Sequence, residues 1–314
     1  MGVRAALHIV GGTVIVDRYE RCSVLAAHLT HLRWRNHSTG TISQRRYALL
    51  RLARHADKDL LEVTSDDISV FRDRLTRAGQ PLVAKSQSGE LTHLRAFYKW
   101  AVLEELIDRD PTLRVPMPRL PRGLPHPIPE HELALAITTA AERVRPFYFL
   151  AAYAGLRACE IAQVRGEDIW WDQDPVLLVI RRGKGGDPGT VPVGAVLREE
   201  LLRLPRKGWL APRADGQPGP LMPHMVSHLA NDHLHRVGSL HTLHSCRHRF
   251  GTMVYRLSGG DLRLTQEMMR HRSPVSTAIY TQVDQSHAAG VVSLLPAPTL
   301  LRVVPEGGQM RLAM

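Results

Sequence analysis

Residues 115–129 read VPMPRLPRGLPHPIP, with proline at 116, 118, 121, 125, 127 and 129. Each proline fixes φ and removes a backbone donor, so neither a helix nor a central strand can run through this stretch. It reads as an extended connector. The 314-residue chain is thereby divided into a first module, 1–114, the linker 115–129, a second module, 130–284, and a tail, 285–314. At about 100–200 residues per domain, two domains also suit the length.

The first module is patterned for helices. In 43–56, Leu49, Leu52, Ala53 and Ala56 mark one face, with Arg51 and Arg54 on the other. Ser65 stands at a helix start, with Asp66 and Asp67 in the first turn before Ile68 and Phe71. A further helix is expected over 86–107, with Leu91, Leu94, Phe97, Ala101 and Val102 on its apolar side, ended by Asp110-Pro111. Residues 5–16 are apolar around a Gly pair and read as a strand or an irregular arm.

Past the linker, Pro129-Glu130 opens a helix, and the apolar run 144–154 ends at Gly155, a natural helix C-cap. A helix over 158–165 and a strand over 175–182 follow. The Gly-rich turn 183–189 leads to a short strand over 190–193, which makes a hairpin. Helices are expected over 195–204, 221–236, 243–257 and 262–270. The fold class is therefore mainly α with a small β-sheet: a helical first domain and a mixed α/β second domain. No internal repeat is present.

The formal net charge is +11, carried by 36 Arg and 5 Lys against 30 acidic residues. Such an excess favours a polyanionic partner. Arg suits phosphate because its fork binds two oxygens at once, although a GC-rich coding sequence also enriches Arg. Residues 1–128 hold 20 basic and 13 acidic residues, and 129–314 hold 21 and 17. The charge is denser in the first module, as a grip on a DNA backbone requires. Arg45 and Arg46, in the first turn of one helix, and Lys85 and Gln87, near the start of another, are candidate DNA contacts. For Lys85 and Gln87 a solvated helix face explains the residue equally well.

The three cysteines, 22, 159 and 246, form no paired motif and suit reduced thiols in a cytoplasmic protein. No run approaches the 18 apolar residues of a membrane span, and no signal-peptide pattern opens the chain. Phosphate-loop, nucleophile-elbow and HExxH motifs are missing. His224/His228 and His244/His248 are i, i+4 pairs without the Glu of a zinc protease. The second module also lacks the acidic cluster of a two-metal nuclease. No metal and no cofactor is expected.

What remains is a set of cationic and proton-transferring residues. GLRACEIAQV (155–164) puts Arg157 just past a Gly turn. GKGG (183–186) puts Lys184 at the hairpin tip. HSCRHRF (244–250) puts His244 and Arg247 on one helix face, and RHRSPVSTAIYTQV (270–283) puts His271 nine residues before Tyr280. In this order and spacing they resemble the Arg, Lys, His-x-x-Arg, His and Tyr pattern of the tyrosine recombinases, the phage integrases and their relatives. Glu160, Asp168-Ile169, Ser276, Thr277 and Ile279 extend the resemblance. It covers nearly the whole chain, including a first module similar to the family's helical, SAM-like core-binding domain.

The resemblance implies site-specific recombination of double-stranded DNA through a 3′-phosphotyrosine on Tyr280 and a Holliday junction, without metal or ATP. Two Arg forks, from Arg157 and Arg247, would hold the phosphate oxygens as charge builds. Lys184 inherits the general-acid role toward the departing 5′ oxygen. Tyr280, with a reference pKa of about 10, needs a positive site or a base, which the Arg pair and His244 would provide. His271 would bond the phosphate, and Glu160 would brace the site helices. The resemblance further implies a homotetramer on two DNA sites, helped by a DNA-bending or directionality protein. The tail would dock on a neighbouring copy through Val291, Val292, Leu294 and Leu295. About 20 residues precede the first helix, too few for a separate arm-binding domain, so the compact members are the best match.

The pattern departs from the family in three places. Cys246 stands where Leu is usual. Arg249 replaces a hydroxyl residue and is a candidate contact to DNA or to a carboxylate. Arg270 stands where Gly usually precedes the second His. An integrase is the first reading. The alternatives are a chromosome dimer-resolution recombinase, a type IB topoisomerase-like activity, and a DNA-binding regulator with a decayed site.

Overall fold

The computed structural model describes residues 8–10, 13–15, 19, 22–120, 124–181, 188–271, 273–283, 302–306 and 309–313. Lys184 and the four apolar tail residues Val291, Val292, Leu294 and Leu295 lie outside them. The chain separates into two compact units, 1–122 and 123–314.

Among its described residues the first unit holds a short hairpin, β1 (His8–Val10) and β2 (Thr13–Ile15), and four α-helices. These are α1 (Ser23–Trp34), α2 (Thr39–Ala56), α3 (Ser65–Arg72) and α4 (Ala84–Leu103). Their limits follow from local chemistry. The Ser38 hydroxyl accepts the Thr41 N–H at 3.2 Å to open α2, and Asp57, with φ 51°, closes it in the left-handed conformation. Thr64, rather than Ser65, caps α3, and Asp67 completes a reciprocal capping box by accepting the Thr64 N–H at 2.8 Å. The apolar faces of α2 and α4 then bury Leu49, Leu52, Leu91, Leu94 and Phe97 in one core. Each such side chain contributes about 1.5–3 kcal/mol by leaving water. Val115 is buried in that core as well.

In the second unit, α5 (Glu130–Thr139) and α6 (Arg145–Ala154) lead to the four-residue α7 (Ala158–Ile161), half the length expected. Three antiparallel strands follow: β3 (Ile169–Trp170), β4 (Leu177–Ile180) and β5 (Gly189–Pro192), in the order β3-β4-β5. Leu178 lies opposite both Ile169 and Val191. Strand β3 carries too few residues to show alternation in the sequence. Helices α8 (Ala195–Leu201), α9 (Pro223–Arg236), α10 (Leu243–Leu257) and α11 (Leu262–Met268) complete the mainly helical body. A separate pair, β6 (Arg302–Glu306) and β7 (Gln309–Ala313), lies in the tail.

Helix α6 is buried on nearly every side and forms the middle of this core. The Tyr148 hydroxyl fastens it to α9, with the Ala230 carbonyl at 2.7 Å and His233 Nδ1 at 2.8 Å. Gly155 ends α6 at φ 61°. A Cβ there would lie 2.4 Å from a ring carbon of Phe250, so glycine is also what lets α10 pack this closely. Among the described residues no helix is long and apolar enough to cross a membrane.

Candidate active site

The turn after Gly155 delivers Arg157 to the start of α7 with its backbone extended. Its N–H donates to Glu160 Oε2 at 2.8 Å and its guanidinium to Glu160 Oε1 at 2.8 Å. Glu160 is fully buried. A buried carboxylate must be paired, and this one collects cations from three elements. Arg247 comes from α10 and approaches Oε2 at 3.8 Å. Arg270 comes from the turn after α11 and donates to Oε2 at 3.0 Å. Burial opposes the Glu160 charge, but Arg270, the Arg157 N–H, Arg247 and Arg157 together hold its carboxyl below the usual range.

Arg247 is 2% exposed. It donates to the Gly155 carbonyl and, at 2.6 Å, to the Met269 carbonyl. Burial pushes its pKa down, as does Arg157, while Glu160 opposes them. Three guanidiniums and one carboxylate leave a formal surplus of two positive charges in a confined space, which is a site for an anion such as a phosphodiester.

The sequence flagged Arg270 only as a departure. Its backbone sits at φ 51°, in the left-handed region. A non-glycine residue there costs about 1–2 kcal/mol. The side chain offsets this by donating to Glu160, to the Gly155 carbonyl at 3.1 Å and to the Met268 carbonyl at 3.1 Å.

Tyr280 is 1% exposed and packs against α10 where Gly251 leaves room. A Cβ at Gly251 would fall 2.4 Å from the ring carbon that bears the hydroxyl. His271 lies parallel to the phenol ring, 7° between planes and 6.4 Å between centroids, and its Nδ1 pairs with the Thr277 hydroxyl at 2.9 Å. Burial raises the Tyr280 pKa to about 12, against the pull of Arg247 and Arg157. Burial, then Arg247, Arg157 and Arg270, push His271 down to about 4, so its ring is neutral at pH 7.

The nitrogen facing the Tyr280 hydroxyl belongs to His248, with Nδ1 at 3.4 Å. His244 is exposed on the same helix, its ring edge-on to His248 at 4.7 Å. In the sequence His248 reads as half of an ordinary i, i+4 pair. The available signal was Gly251, one turn further along α10, which clears the helix surface beside His248. Burial, then His244, Arg247 and His126, push His248 down to about 4.

Several of the candidate DNA contacts have partners within the chain, and Arg249 takes the carboxylate that was one of its two expected partners. Arg249 donates twice to Glu130, at 2.7 and 2.9 Å, and to the Ala152 carbonyl at 3.1 Å, with Tyr153 under its guanidinium at 4.9 Å. It ties α10 to α5 and α6. Arg45 is buried in the first unit, where its charge acts on His28 of α1 and His93 of α4. Gln87 donates to the Arg72 carbonyl at 3.2 Å. Lys85 is exposed, and Arg46 is half-buried beside Tyr47.

The sequence model of the Phage integrase family matches residues 129–287, half of the chain. The chain belongs to the phage integrase family. As one of these tyrosine recombinases it is a DNA strand-transferring enzyme. Tyrosine recombinase XerC of Anoxybacillus flavithermus (strain DSM 21510 / WK1) is 28% identical over 255 residues, spanning 75% of this chain and 83% of the relative. Tyrosine recombinase XerA of Pyrococcus horikoshii is 26% identical over 276 residues, spanning 84% and 90%. Two solved structures share the integrase fold. A lambda integrase tetramer bound to a Holliday junction superposes with a TM-score of 0.65 at 16% identity, covering 82% of this chain and 76% of that one. XerH recombinase bound to its difH substrate gives 0.61 at 18% identity, covering 88% and 85%. Among the described residues no group of His, Cys, Asp and Glu is arranged to hold a metal ion.

Proposed function

We infer that this integrase recombines double-stranded DNA at a specific core site, with Tyr280 as nucleophile. The Tyr280 oxygen attacks phosphorus, the bond to the 5′ oxygen breaks, and a 3′-phosphotyrosine holds the DNA end. Charge that builds on the two non-bridging oxygens falls to Arg157 and Arg247. His248, neutral and beside the phenol, takes the Tyr280 proton, while His244 and His271 bond the phosphate. The departing 5′ oxygen takes a proton from Lys184, a role carried by the family pattern. The phosphotyrosine keeps the bond energy, and attack by a 5′-hydroxyl reverses every step and reseals a strand.

The observation that carries this reading is the convergence of Arg157, Arg247 and Arg270 on Glu160, with Tyr280 within electrostatic reach of the first two. Four copies on two DNA sites, exchanging strands in pairs, suit an enzyme that cuts one strand per Tyr280. Residues 1–114 form the core-site grip.

The test is covalent capture from a pool of nicked duplexes with randomised core sequence. The wild-type chain should retain DNA through denaturation and so report its own site. Tyr280→Phe should bind the same duplex with unchanged affinity and retain none. Retention by the phenylalanine variant sinks the assignment. Relaxation of arbitrary plasmids without site preference would favour the topoisomerase reading instead.

A further inference from the structure

We propose that Arg270 is a positioning residue that holds the Glu160 carboxylate, so that Arg157 can leave it for the scissile phosphate. The inference rests on the recombinase reading and adds a role for a side chain where the family pattern has none.

The three guanidiniums around Glu160 are not equivalent. Arg247 is anchored by two backbone carbonyls and reaches Glu160 only at 3.8 Å. Arg270 reaches Glu160 at 3.0 Å while two carbonyls, of Gly155 and Met268, fix its remaining direction. Among the described residues Glu160 is the side-chain partner of Arg157, which at 20% exposed is the most open of the three. It is the fork with freedom to turn toward a phosphate.

If Arg157 turned away in a site without Arg270, Glu160 would keep one backbone N–H and a distant Arg247. An ionised carboxylate buried that poorly pulls its partner back. Arg270 removes this competition by satisfying Glu160 independently of Arg157. The left-handed backbone at 270 fits the same account, since the conformation that glycine adopts freely is kept with a long cationic side chain. The aliphatic stem also lies under the return strand of the hairpin. A Cβ at Gly189 would come within 3.1 Å of Arg270 Cδ. Arg181 at the outgoing end of that hairpin is paired with buried Asp168. Arg270 thus links the carboxylate to the start of β5.

The experiment compares single-turnover cleavage and equilibrium binding of one captured nicked duplex by the wild type, Arg270→Gly, Arg270→Lys and Arg270→Gly/Glu160→Gln. Glycine is at ease at this φ, so the first variant removes the side chain without backbone strain. Its cleavage should slow about 10- to 100-fold, the worth of a charged hydrogen bond, with duplex affinity unchanged. Lysine, a single cation within reach of Glu160, should recover most of the rate. The double variant removes the charge that holds Arg157 and should cleave faster than Arg270→Gly. A simple brace predicts the reverse, because a second contact is lost. The proposal is overturned if Arg270→Gly cleaves at the wild-type rate, or if the double variant is no faster than Arg270→Gly. Absence of any adduct with the wild-type chain would instead remove the recombinase reading.

Discussion

His28 shows how one side chain can set the acid tolerance of the first unit. It is 1% exposed, and neither ring nitrogen has a hydrogen-bond partner among the described residues. Its ring is packed edge-on to Phe97 at 5.1 Å and lies 4.7 Å from Trp100. Burial, then the charges of Arg45, His31 and His37, lower its pKa from 6.5 to about 3. The fold therefore favours the neutral ring, while the unfolded chain binds a proton below about pH 6.5. Stability contributed above pH 6.5 is lost as the pH falls toward 3, at about 1.4 kcal/mol per pH unit. His28→Leu keeps an apolar side chain of similar size and removes that proton. Between pH 6.5 and 5 the variant should lose about 2 kcal/mol less than the wild type in urea titrations that follow the first unit. Parallel pH profiles would show that another group titrates.

At the scale of elements, Arg249 decides between two readings of one residue. As a DNA contact, Arg249→Ala would weaken binding and flatten its salt dependence. Its bonds to Glu130, Ala152 and Tyr153 argue for a clasp of α10 on α5 and α6. Glu130 is 64% exposed, so solvent screens much of that pair. The carbonyl bond and the aromatic face bring the expected cost of Arg249→Ala to about 1 kcal/mol. The denaturant midpoint of the second unit should fall, with the salt slope of DNA binding unchanged. The same contrast explains what was legible in the sequence. Helices α2 and α4 are readable because their apolar faces repeat over three or more turns, and α6 because an apolar run ends at Gly155. Helix α7 is one turn, too short to show a periodic face, and two-residue β3 is defined by its pairing with β4. The candidate catalytic residues are read from order and spacing, which need no geometry. The inward turns of Arg45 and Arg270, and the Tyr280–His248 pairing, depend on distant segments meeting, and no local pattern encodes them.

The whole chain carries +11, with the denser surplus in residues 1–128. Such a charge acts on DNA through counterion release, with a slope of log affinity against log salt of about −0.9 per phosphate neutralised. A grip on six phosphates loses about a thousandfold in affinity between about 50 and about 200 mM salt. That loss is the expectation for this protein on a short duplex. A slope near zero would mean that the surplus faces elsewhere. The structure sharpens the forecast, because only exposed cations can contribute. Lys85→Ala should reduce the slope by about one phosphate equivalent. Arg45→Met, at a buried position of the same unit, should leave the slope unchanged and act on stability alone. Titrations of the two variants and the wild type at three salt concentrations separate these outcomes. A slope change at Arg45 and none at Lys85 would mean that the basic face of the first unit has been drawn on the wrong side.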